Sequence, residues 1–151
     1  MTQPPRTTSR PARLSRRGRK GVSVLELAIT LLVLLNLTFG TIEFGHYFFV
    51  KNTVQAAARE GARVAITPGA SNTSVQNAIN PVLTAAGLQT GDFSFNVRVN
   101  GVLADASTAA AGDRVEVTVT STWGTVGLRP LGIISSSKVV LGGVSMRREG
   151  N

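Results

Sequence analysis

The junction between residues 20 and 22 constrains this chain more than any other feature. The basic stretch RLSRRGRKG ends at Gly21 and gives way at once to VSVLELAITLLVLLNLTFGTI, an apolar run that holds one carboxylate, Glu26, at the fifth position after the glycine. From Leu27 to Ile42 no residue carries a charge. The 21 residues from Val22 to Ile42 span roughly 31 Å as a helix, close to the roughly 30 Å of bilayer hydrocarbon. An acid inside such a segment is costly and marks a functional position by default.

The charge distribution follows the same division. The chain carries a formal net charge of +8, but seven of its 16 Lys and Arg lie in residues 1–21, where there is no acid. The other 130 residues hold nine cations against all eight acids and are nearly neutral. The basicity therefore belongs to the flank of the apolar run, as expected of a cytoplasmic flank. It does not belong to a nucleic-acid-binding face on the folded part. Residues 1–20 are rich in Pro, Arg, Ser and Thr and bury too little to fold. A secretory signal peptide shares the basic start and apolar middle. Here, however, the run is too long for such a segment, and the nearest alanine cluster, Ala56–Ala58, lies well beyond it.

No helix breaker interrupts Val22–Ile66 before Pro68-Gly69. Val50, Val54, Ala57, Gly61 and Val64 recur at spacings of four and three, so the second half of this helix has a small-residue face to bury. Val75, Ala78, Ile79, Val82 and Leu83 predict a second helix, shortened or kinked by Pro81 and ending at Gly87. Phe93, Phe95, Val97 and Val99 alternate as a strand closing on Asn100-Gly101; Val115, Val117 and Val119 predict a second strand, and Lys138–Met146 a third. Residues 124–137 read as an irregular connection. The expected fold class is α+β: a long N-terminal helix packed on a small antiparallel β-sheet head. The expected divisions are a basic leader over 1–21, a helix over 22–66 that is transmembrane over about 22–45, and an extracytoplasmic head over 67–151. Those last 85 residues would make a thin core alone, so the helix belongs to the fold.

Little points to catalysis. There is no cysteine and one histidine, His46, placed by the sequence at the membrane edge. This excludes thiol chemistry, multi-histidine metal sites and a Ser-His-Asp arrangement in the head. Asp92, Asp105, Asp113 and Glu116 match no metal motif and read as turn residues, so no catalytic residue, cofactor or metal is expected. Glu43 has His46 at i+3 and Tyr47 at i+4, which predicts a local pair on the helix surface; Glu60 and Arg63 predict either another helix pair or a contact to the sheet of the head. Phe44, Tyr47, Phe48 and Phe49 form an aromatic belt where the helix should leave the bilayer.

Lys20-Gly21 with Glu26 resembles the processing site of a pilin-type precursor. Together with VLELAITLLVLL, the strings TIEFG (Thr41–Gly45) and AAREGAR (Ala57–Arg63) resemble the TadE-like family of pseudopilins from tight-adherence pilus systems. The resemblance covers about residues 18–66, and Ser145–Glu149 is similar to that family's closing strand. Leu27 stands where the system's major pilin has tyrosine, and Val22 is not aromatic. The resemblance implies a minor pilin-like structural component, cut between Gly21 and Val22 by a prepilin peptidase. Glu26 would pair with the freed amine of a neighbouring Val22. Glu43, Phe44, Gly45, Arg59, Glu60, Gly61 and Arg63 would be family positions on the helix. The implied partners are the peptidase, other pilin-like subunits, an inner-membrane assembly platform and membrane lipid, with the N-terminus cytoplasmic. The residues alone also permit an uncleaved, signal-anchored envelope protein whose head binds a ligand or scaffolds a complex.

Overall fold

In the computed structural model, the described residues are 19–148 and Gly150, so the leader expected over 1–21 lies mostly outside them, as does Glu149. The chain divides after Leu37 into two compact units, one ending at Leu37 and one running Thr38–Asn151. Helix α1 (Arg19–Ala65) runs through both.

In the first unit every residue from Gly21 to Leu37 is exposed. Two of its polar side chains turn back on their own helix: Thr30 Oγ1 donates to the Glu26 carbonyl at 2.9 Å, and Asn36 Nδ2 to the Leu32 carbonyl at 2.8 Å. Such i−4 bonds satisfy hydroxyl and amide groups where no water is at hand. The helix is long and apolar enough to cross a membrane.

The second unit is built on the small-residue face of α1. Val50, Val54, Ala57, Ala58, Ala62 and Ala65 are all buried. They pack with Val75, Ile79 and Leu83 of α2 (Asn72–Ala85) in one core with the sheet's valines. Burying each valine is worth about 1.5–3 kcal/mol. Ser71 caps α2, its hydroxyl accepting from Ser74 N. The helix passes through the exposed Pro81 and ends as expected. Gly87, at φ +74°, donates to the Thr84 carbonyl and Leu88 N to the Leu83 carbonyl, a Schellman closure.

Four antiparallel strands follow: β1 (Ser94–Val99), β2 (Val102–Leu103), β3 (Arg114–Thr122) and β4 (Val139–Arg147), in the order β2-β1-β3-β4. Three were expected. The added β2 is two residues long, too short to show periodicity, and exists because Asn100 (φ 51°) and Gly101 (φ 85°) make a two-residue turn that folds the chain back on β1. Val97, Val99, Val115, Val117, Val119 and Val140 point into the core, and the intervening residues face outward. The connection after β3 begins with a single helical turn, α3 (Trp123–Val126), and is otherwise irregular as expected.

Edge strand β4 comes closest to α1. A Cβ on Gly142 would lie 2.6 Å from the Val54 carbonyl and Gln55 N, all backbone that has no room to yield. The next residue, Gly143, exchanges two bonds with the Gln55 side chain: Nε2 to the Gly143 carbonyl at 3.1 Å and Gly143 N to Oε1 at 3.3 Å. One side-chain amide thus occupies backbone groups that an edge strand leaves open. G142A should destabilise the fold by about 2–3 kcal/mol through overpacking. G143A, whose Cβ meets nothing nearer than 3.6 Å, should be close to neutral. Denaturant titration of the two variants checks this contrast; equal effects would refute it.

Candidate functional site

The residues singled out from the sequence all lie on α1, in three groups. The first is Gly21, Val22 and Glu26. Because α1 begins at Arg19, Gly21 and Val22 are in its first turn and not in extended chain. A Cβ at Gly21 would meet nothing within 4 Å, and Val22 is 64% exposed. Glu26 is exposed as well. An acid and a potential new N-terminus are therefore both open to a partner.

The second group, around Glu43, differs from the surface pair expected with His46 and Tyr47. Glu43 is fully buried. Its Oε1 accepts from Ile134 N at 2.7 Å and its Oε2 from Leu131 N at 3.3 Å, both in the loop between α3 and β4. Two backbone donors some 90 residues away, invisible to local spacing, satisfy it instead of its helical neighbours. His46 and Tyr47 turn to a different partner. The His46 ring lies 5.6 Å and the Tyr47 ring 5.3 Å, centroid to centroid, from buried Trp123, and His46 Nε2 is 3.1 Å from the Val126 carbonyl. The single histidine is thus packed against the head. Of the expected aromatic belt, Phe44, Phe48 and Phe49 are exposed while Tyr47 belongs to this ring cluster. Gly127 is required there, since a Cβ on it would fall 2.5 Å from the Trp123 ring. Trp123 carried no motif, so sequence reasoning passed over it.

The third group is AAREGAR. Gly61 sits where α1, α2 and β3 meet: a Cβ there would come within 2.9 Å of Ile79 and 3.3 Å of Val117. Glu60 and Arg63 form the expected i, i+3 pair, with Arg63 Nη2 2.5 Å from Oε1 and Nε 3.1 Å from Oε2. Arg59 and Gly45 are exposed. Gly61 thus joins Ala57, Ala58 and Ala62 of the same string in the core.

Of the acids of the head, Asp92, Asp105 and Asp113 lie in turns and loops as expected, whereas Glu116 lies within β3, opposite Arg98 of β1. Asp105 accepts from Ser107 N and Asn72 N, while Asn72 Oδ1 accepts from Ala106 N, which clasps the start of α2 to the loop after β2. Asp113 accepts from Ala110 N at 2.7 Å and Asn100 Nδ2 at 2.8 Å. Among the described residues no group of three His, Cys, Asp or Glu is placed to hold a metal ion. The Ala110 N–H, then the Asn100 amide, hold the Asp113 carboxyl below its ordinary range; the Ser107 backbone N–H does so first for Asp105. A depressed folded-state pKa stabilises the fold above the unfolded value, about 3.9, and that contribution is lost as pH falls through the folded pKa. Melting temperature should therefore drop on acidification below about pH 4, and D113N should flatten the drop. An unchanged acid limb in D113N would refute this assignment.

A second prediction concerns Glu43. E43A should speed amide hydrogen exchange at Leu131 and Ile134 while leaving the α2 amides unchanged. Protection that survives would show that the carboxylate does not hold the loop.

Neither the curated proteins nor the solved structures contain a match to this chain. The family model described as TadE-like protein matches residues 21–63, from the glycine of the first turn to the Glu60–Arg63 pair. That segment of α1 is similar to the TadE-like family.

Proposed function

We propose that this protein is a minor, pilin-like structural component of a tight-adherence or type IV-like pilus, anchored by α1 and assembled through it without catalysis. The observation that carries the reading is the TadE-like segment over residues 21–63, with Glu26 at the fifth position after Gly21 and an exposed apolar surface around it. A prepilin peptidase removes residues 1–21. Gly21 favours that step because glycine lowers helix propensity by about 1 kcal/mol relative to alanine, so the first turn of α1 unwinds readily into an extended strand for the peptidase. Cutting there leaves Val22 with a new ammonium group. In the assembly, Glu26 of one subunit neutralises that ammonium on a neighbour. The pairing fixes axial register because neither charge is tolerated alone in hydrocarbon.

The apolar face of α1 then exchanges lipid for neighbouring helices as subunits leave the membrane for the filament. An inner-membrane platform supplies the work of extraction. The cytoplasmic placement of the N-terminus follows from the cations of the leader.

N-terminal sequencing of the membrane-extracted protein should begin at Val22. A product that still starts in the arginine-rich leader would instead make the chain an uncleaved anchor. E26Q should insert normally and still be cut, yet fail to assemble. Wild-type levels of piliation in that variant would refute the charge-pairing step.

A further inference from the structure

The loop between α3 and β4 has a composition unlike the other connections of the head. Residues 127–134 read GLRPLGII, with Arg129 as the single charge. Leu128, Leu131 and Ile133 are 56%, 38% and 54% exposed, and only Ile134 is packed against the core. Three large apolar side chains in one loop are more than a water-facing connection needs, and the core does not use them.

The level of this loop along α1 is set by two independent contacts. Glu43 takes the N–H groups of Leu131 and Ile134, pinning the loop backbone beside that turn of the helix. Ile133 Cδ1 lies 3.6 Å from the position of a Cβ on Gly40, three residues earlier. Gly40 is inside the uncharged run that ends at Ile42, about 3 Å from its end at 1.5 Å per residue. The helix surface at this level is also apolar and exposed, with Phe39, Ile42 and Phe44. Any bilayer that holds α1 to the end of its uncharged run must therefore reach the side chain of Ile133.

We propose that the 127–134 loop is a second membrane contact. Leu128, Leu131 and Ile133 enter the boundary between headgroups and acyl chains in the leaflet that α1 leaves near Glu43, with Arg129 directed to lipid phosphate. The occupant is lipid because the apolar patch of the loop is continuous with the apolar surface of α1. The enclosure of Glu43 has its explanation in the same depth. A bare carboxylate at the hydrocarbon boundary is expensive, and two backbone donors meet it there. Contact at two places, a helix and a loop, would restrict the tilt of the head against the membrane. The inference rests on α1 being a membrane anchor, and its test separates the two.

The chain has no cysteine, so single cysteines can be labelled cleanly in the full protein. Leu32→Cys, Ile133→Cys and Thr73→Cys, each carrying an environment-sensitive fluorophore, are reconstituted into phosphatidylcholine–phosphatidylglycerol vesicles with spin-labelled lipids. The label at residue 133 should show blue-shifted emission and lose intensity to a quencher placed near the headgroup. The label at 32 should lose intensity to a quencher deep in the acyl chains, and the label at 73 to neither. Quenching at 32 with a label at 133 as bright as that at 73 overturns the loop proposal and leaves the anchor intact. Efficient disulfide cross-linking of unlabelled Ile133→Cys within the vesicles, together with that result, would assign the patch to a second copy of the chain. Absence of quenching at 32 defeats the anchor reading and the loop proposal with it.

Discussion

The sheet can bury its valines only against helices, and α1 is the larger of the two that cover it. Val97, Val99, Val115, Val117 and Val119 all project from one face, and the side chains that meet them from α1 are valines and alanines. Small residues on the helix allow close approach, and the approach reaches its limit at two glycines. At Gly61 the helix admits Ile79 and Val117; at Gly142 the edge strand comes within van der Waals range of the α1 backbone. A core of this kind is shallow, and a methyl group in either place would push its layers apart. The Gln55 amide on Gly143 adds a polar clamp at the point of closest approach.

Helix α1 therefore presents two surfaces suited to different solvents. Through Leu37 every described residue from Gly21 is exposed, and Thr30 and Asn36 bond back to the helix backbone. From Val50 onward one face is buried. Glu43 lies between these regimes, enclosed by the loop before β4, while His46 and Tyr47 pack on Trp123. A TadE-like segment that ends at residue 63 thus includes both the apolar stretch and most of the turns that build the core. Substitutions along it will affect anchoring, folding or both according to position.

Much of this was legible from residue order. The long uninterrupted helix, the alternating valines of β1 and β3, the Asn100-Gly101 turn and the glycine closure of α2 all come from local chemistry, in which spacing and φ preference act over a few residues. The i, i+3 pair of Glu60 and Arg63 belongs to the same class. Glu43 does not. Its spacing to His46 and Tyr47 was compatible with a surface pair, but a carboxylate will exchange a half-solvated neighbour for two oriented backbone N–H groups when a loop brings them within reach. Nothing in the loop's composition announces that it will.

Sequence alone determined the division of the chain into a basic flank, an apolar helix and a mixed α+β head, because each depends on periodicity, charge and turn residues read locally. It also determined that Glu26 would be an acid in apolar surroundings. Tertiary structure decided what the remaining marked residues do: that Glu43 is a ligand for backbone and not a surface charge, that His46 is packed against Trp123, that Gly61 and Gly142 are contact points, and that Ile133 stands beside Gly40. Those outcomes depend on contacts between residues tens of positions apart. Such contacts form only once the sheet has settled on the helix, and no local pattern encodes them.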